Sequence, residues 1–102
     1  MAKLIVLYKK PADPAAFDQH YQSVHVPTAK KIPGLRSYEV STGEVKAGRG
    51  ESPYHLVATL GFDSMEALAQ GMATPEGAAT AKDLKNFAQA GVEMLMFDSK
   101  EI

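Results

Sequence analysis

Three histidines and four tyrosines carry the proton-handling capacity of this chain, and two of each lie within FDQHYQSVHVPTAKKIPGLRSY, residues 17–38. An imidazole, with an unperturbed pKa of about 6.5, can take or give a proton near neutrality. A phenol can donate a hydrogen bond to a carbonyl oxygen or a developing oxyanion. On an α-helical wheel, Tyr21 lies about 40° from Phe17 and His25 about 80° from it, at the border of the buried face. There an imidazole is partly desolvated yet can reach a cleft, or it can simply bond a backbone carbonyl freed by Pro27. His20 falls about 140° from His25 on the same wheel, which predicts a surface or edge residue that, on an undistorted helix, cannot share a metal with it.

Tyr38 follows the Pro33-Gly34 turn and alternates with Arg36 and Val40 on one strand face, either packing or presenting its hydroxyl to a ligand. His55 lies on a later strand, where it either lines a cavity or sits at the sheet edge. No Asp/Glu/His trio has recognisable metal spacing, so no metal is expected. The piece Gly48-Arg49-Gly50 lacks the spacing and strand–turn–helix setting of a phosphate loop. No Gly-x-Ser-x-Gly elbow occurs, and with no cysteine, thiol catalysis, thiolate metal sites and disulfides are excluded.

The elements that must position these groups read from patterning. Lys3 to Lys9 is a β-branched-rich run, predicted to be a strand buried on both faces and stopped by Pro11. Asp13-Pro14 opens a helix whose face is Phe17, Tyr21, Val24 and Thr28; Lys30 and Lys31 close it, and Pro27 bends or breaks it. A strand is expected over 35–45, then a glycine-rich connection to Pro53. Tyr54 to Phe62 alternates, with Tyr54, Leu56, Ala58, Leu60 and Phe62 on one face and His55, Val57, Thr59 and Gly61 on the other. Asp63 and Glu66 have capping-box spacing for a short helix to Met72. Thr74-Pro75 starts another to about Ala90, with Ala81, Leu84 and Phe87 or Ala88 inward, and 92–98 is the last strand.

This order, strand, helix, strand, strand, helix pair, strand, predicts an α+β, ferredoxin-like split βαβ fold: a four-stranded antiparallel sheet with helices on one face. All 102 residues are expected to form a single domain with one modest core. The other sheet face would be left wet in a monomer, which predicts a homodimer with sheets packed face to face. Net charge is −1, from eleven basic and twelve acidic residues spread along the chain, so no basic stripe points to nucleic acid. No apolar run approaches the ~20 residues that span a bilayer, and no signal peptide is read. The expectation is a cytoplasmic protein without a membrane partner.

At LIVLYKKP, F..HY...H.P, IPGLRSYEV and EG.....DLKNF, in that order, the chain resembles the EthD family of dimeric α+β barrels over essentially its whole length. The family takes its name from bacterial ethyl tert-butyl ether degradation; related barrels include muconolactone-type isomerases, cofactor-free monooxygenases and polyketide cyclases. The resemblance implies His25 and Tyr38 as catalytic groups around a cavity between sheet and helices. Tyr21, and His55, which no motif carries, are further ligand-binding candidates. It implies a small, mostly apolar organic ligand handled in a catabolic pathway. Cofactor-free acid–base chemistry of isomerase or lyase type is one reading; a non-catalytic binding or accessory role is the other.

Overall fold

The structure, a computed structural model, describes residues 1–102. The chain runs β1 (Ala2–Lys9), α1 (Pro14–His20), a π-helical segment (Tyr21–His25), α2 (Val26–Ala29), β2 (Ser37–Val40), β3 (Tyr54–Phe62), α3 (Met65–Met72), α4 (Pro75–Phe87) and β4 (Val92–Asp98). The strands form one antiparallel sheet in the order β2-β3-β1-β4. Helices cover one face of it, the split βαβ arrangement read from the element order. No helix is long and apolar enough to cross a membrane.

Alternation sets which side chains meet the helices. In β1, Ala2, Leu4, Val6 and Tyr8 are buried, whereas Lys3, Ile5 and Leu7 are half-buried. A strand buried on both faces was expected; in the single chain, helices lie over only one face. Opposite β1, Leu56, Ala58, Leu60 and Phe62 of β3 complete the floor of the core. Fully burying side chains of this size contributes about 1.5–3 kcal/mol each. Phe17, Tyr21, Ala29, Ile32, Leu68 and Phe87 supply the helical side of the core.

Local chemistry explains where the helices start and where the boundaries move. Asp13 caps α1 by accepting from the Ala16 N–H, with Pro14 in the first turn, and Thr74 accepts from the Gly77 N–H ahead of Pro75. The cap of α3 is Ser64, not Asp63, because Asp63 is drawn off to a bidentate contact with Arg36. Gly34 turns the chain into β2 at a φ of 84°, a left-handed conformation that glycine adopts at little cost. Strand β2 is far shorter than the expected 35–45 span. It pairs with β3 over Ser37–Val40, with one further backbone bond at each end from Arg36 and Ser41, and the polar, glycine-rich stretch that follows forms no strand.

Candidate active site

The helix that carries the histidines changes its winding in the middle. Between Tyr21 and His25 the backbone is π-helical, and the Val26 N–H reaches back five residues to the Tyr21 carbonyl. Pro27 follows directly; it has no N–H to give to the ladder. An i→i+5 turn stacks residues five apart, so His20 and His25, separated on the α-helical wheel, point the same way. His20 is at the edge, as expected, with 27% of its side chain exposed; the wheel's separation of it from His25 does not hold, because the wheel assumed an undistorted helix. Both rings bind one carboxylate. His20 Nε2 lies 2.9 Å from Asp83 Oδ1 and His25 Nδ1 2.9 Å from Asp83 Oδ2, while the Asn86 amide donates to Oδ1 at 3.0 Å.

Asp83 comes from the buried face of α4, which is made by Thr80, Asp83 and Phe87, with Leu84 half-buried beside them. A carboxylate in such a place is costly unless it is paired and hydrogen-bonded. Here every donor it needs is supplied, and no buried side-chain nitrogen or oxygen lacks a partner. Burial works to raise the Asp83 pKa, but the Asn86, His20 and His25 donors outweigh it and hold the carboxyl below its ordinary value. An ionised carboxylate only accepts, so His25 must carry its proton on Nδ1. Its Nε2 is thereby left as the acceptor, and the Tyr8 hydroxyl donates to it in a long contact of 3.4 Å. Burial lowers the His25 pKa and Asp83 pulls the other way without cancelling it, so His25 is neutral at pH 7.

Three phenols complete the cluster. The Tyr21 and Tyr38 hydroxyls are 2.6 Å apart, and Tyr8 stands edge-on to both Tyr21 and His25. Burial first pushes the ionisation of Tyr8 and Tyr21 well above the ordinary phenol range, with repulsion from Tyr38 adding for Tyr8 and the hydrogen bond to Tyr38 adding for Tyr21; burial raises Tyr38 as well. All three remain O–H donors at any physiological pH.

His25, Tyr8 and Tyr38 open onto one cavity of about 40 Å³ between sheet and helices. Of its 14 lining residues 12 are hydrophobic, among them Leu4, Val6 and Leu84, and none is charged. The space holds a few water molecules, so a larger occupant must displace side chains. Met94 of β4 lines the cavity and is also 49% exposed, which places its unbranched side chain between the cavity and solvent. Tyr21 reaches this space through its bond to Tyr38.

His55 does not line the cavity. The register of β1 against β3 shifts between Tyr8 and Lys9, pairing Tyr8 with Leu56 and Lys9 with Tyr54. This leaves His55 as the extra residue of a bulge, which re-aims a side chain. The simple alternation put His55 on the face away from the helices. Instead its ring packs edge-on to Phe17 at 4.9 Å and its Nε2 meets Asp18 at 2.7 Å. Reading the sequence also passed over Tyr8, Asp83 and the partnership of His20. Tyr8 was accessible from period two, since it shares a face with Leu4 and Val6. Asp83 was accessible only from its spacing to Thr80 and Phe87, because an apolar pattern skips an acidic residue.

Residues 9–91 match the EthD domain. The chain belongs to the EthD family. It is 40% identical, over its full length and 98% of the relative's, to an uncharacterized 11.0 kDa protein of the thcB-thcC intergenic region in Rhodococcus erythropolis. An EthD family protein of known structure from Bacillus halodurans is 41% identical, with a TM-score of 0.88 covering 98% of this chain and 99% of that one. The fold, without comparable sequence likeness, is shared with SnoaB of Streptomyces nogalater, a cofactor-independent oxygenase: 14% identity, TM-score 0.71, 99% and 94% coverage. The EthD resemblance seen in the sequence is thus shown, and the ferredoxin-like fold with it.

Proposed function

We propose that this EthD protein takes a small, neutral, mostly apolar carbonyl compound and moves a proton on it without a cofactor. The observation that carries this reading is the orientation of His25: Nδ1 is fixed by Asp83, and Nε2, beside an uncharged, largely apolar cavity, accepts only a long 3.4 Å contact from Tyr8 that a substrate proton would displace. With no cation in the lining, nothing there would hold a carboxylate or phosphate. His25 Nε2 takes a proton from the carbon next to the carbonyl, giving an imidazolium and an enolate. Tyr38, backed by Tyr21, donates to the enolate oxygen. Return of the proton to a different carbon completes an isomerisation; expulsion of a leaving group completes an elimination.

A panel of uncharged lactones and β-diketones in deuterated water tests this, with exchange at the acidic carbon followed by proton NMR. Enzyme-dependent exchange lost in His25→Gln supports the base role. Binding without any exchange makes the protein an accessory carrier in place of a catalyst. A second reading, oxygenation, is favoured by the shared fold with a cofactor-independent oxygenase. It begins with the same deprotonation and then needs dioxygen as co-reactant, so dioxygen consumption in the same reactions separates the two.

The partner we propose is a second copy of the chain, packed through the sheet face that the helices leave open. Ile5 pairs with Leu95 and Leu7 with Val57 across that face, and Leu95 and Phe97 are 56% and 43% exposed. Light scattering should give twice the chain mass, and Leu95→Lys should return a monomer; a monomeric wild type at high micromolar concentration refutes the proposal.

A further inference from the structure

One side of the histidine pair remains without a role. His25 faces the inner cavity with 5% of its side chain exposed, while His20 has 27% exposed. His20 lines a different, open cleft of about 660 Å³ with Asp13, Phe17, Asn86 and Phe87. The Phe87 ring stands between the two spaces, 5.1 Å from the His20 ring and 4.7 Å from the His25 ring. Asp83, bonded to both imidazoles, is the polar connection through that wall.

We infer that His20 is a positioning residue for the His25 base: the two imidazoles share the single charge of Asp83, so that proton uptake on the cavity side drives proton release on the solvent side. This rests on reading His25 as the base. One carboxylate balances one imidazolium. When the unit holds one extra proton, the charge is better solvated on His20, whose side chain is 27% exposed against 5% for His25. His20 then donates Nε2–H to Asp83 and presents Nδ1–H to the open cleft. His25 takes the substrate proton on Nε2 and becomes a cation, leaving two cations on one carboxylate. His20 gives its Nδ1 proton to water in the cleft and keeps its bond to Asp83. One proton has left the substrate, one has entered water, and the charge of the unit is unchanged. No proton crosses Asp83, and neither hydrogen bond breaks.

Other groups around His25 do not compete for this role. Tyr8 from β1 faces its Nε2, Tyr21 lies on its own helical segment, and Tyr38 from β2 is reached through Tyr21; all three phenols stay protonated. Strands β3 and β4 and helix α3 contribute only apolar cavity groups, Ala58, Leu60, Met94 and Met72. Asp83 is the one charged group in contact with His25. On the His20 side, Asn86 binds the same carboxylate but does not titrate.

The test is a pH titration of the ring nitrogens in the full-length protein labelled with 15N-histidine, for wild type, His20→Gln and His25→Gln. Glutamine keeps a donor to Asp83 but never carries charge. In His20→Gln, the His25 midpoint should rise by about one unit, the size of a nearby like charge removed. Linkage requires the reciprocal rise of the His20 midpoint in His25→Gln. In wild type alone, each histidine should titrate over a broader range than a single group. A His25 midpoint that stays within about 0.2 units in His20→Gln, or single-group curves in wild type, overturns the coupling. The same spectra report the tautomer separately: a His25 proton found on Nε2 at pH 7 refutes the base reading, whatever the coupling shows.

Discussion

Replacing Asp83 by asparagine removes the charge at the centre of the site while keeping nearly its shape, so its effect isolates the electrostatics. In the wild type Asp83 accepts from His20, His25 and Asn86. Hydrogen bonds to a charged group contribute about 1.5–3 kcal/mol each. The oxygen of the substituted amide could still accept one or two of these at neutral strength, but its nitrogen would face a donor where an acceptor stood. A net loss of about 2–3 kcal/mol is expected, and by the usual scaling for a domain of this length Tm should fall by about 10–20 °C. Urea unfolding followed by circular dichroism at pH 8 measures this. The pH dependence provides a second constraint. The folded Asp83 pKa is depressed, so its stabilisation is complete above the unfolded carboxyl value near 4 and is lost as pH falls through the folded value. The gap between wild type and D83N should therefore be full at pH 8 and narrow below about pH 4. A difference under about 0.5 kcal/mol at pH 8, within the range of ordinary surface changes, would sink the assignment of Asp83 as the organising charge.

Other expectations are sharper in sign than in size. His25 also has a depressed folded pKa; its stabilising effect is present above about pH 6.5 and lost as pH falls through the folded value. Unfolding free energy should thus drop between pH 7.5 and 5.5 in wild type, and the slope should flatten in His25→Gln; equal slopes would contradict a buried neutral imidazole. The Tyr21–Tyr38 bond should give a coupling of about 1 kcal/mol in a double-mutant cycle of Tyr21→Phe and Tyr38→Phe, and additive effects would mean the contact is not formed in solution. In α3, a Cβ at position 71 would stand 2.6 Å from the Pro33 carbonyl oxygen. Gly71→Ala should therefore destabilise the protein by about 1–3 kcal/mol despite the better helix propensity of alanine, and a more stable variant would show that the turn after α2 yields freely.

Much of this protein is determined by its sequence acting locally. The Asp13-Pro14 and Thr74-Pro75 starts rest on neighbouring side chains and backbone amides, and the strand over Tyr54–Phe62 rests on alternation. A short-range pattern carries all the information such features need. Element order then selects the ferredoxin-like fold, because antiparallel pairing and right-handed crossovers leave few closures. The border position of His25 was legible for the same reason, since a helix border is a local coordinate; Tyr38 became a candidate through the family resemblance at the turn before it. The tertiary structure decided the rest. The π-helical turn re-phased His20 onto His25, and the β3 bulge turned His55 away from the cavity to Asp18. Each is a one-residue departure from a regular period, and a period counted along the chain is blind to its own slips. Asp83 lies 58 residues from His25. No spacing relates them; only packing α4 against the histidine helix makes a lone buried carboxylate and two imidazoles into one site.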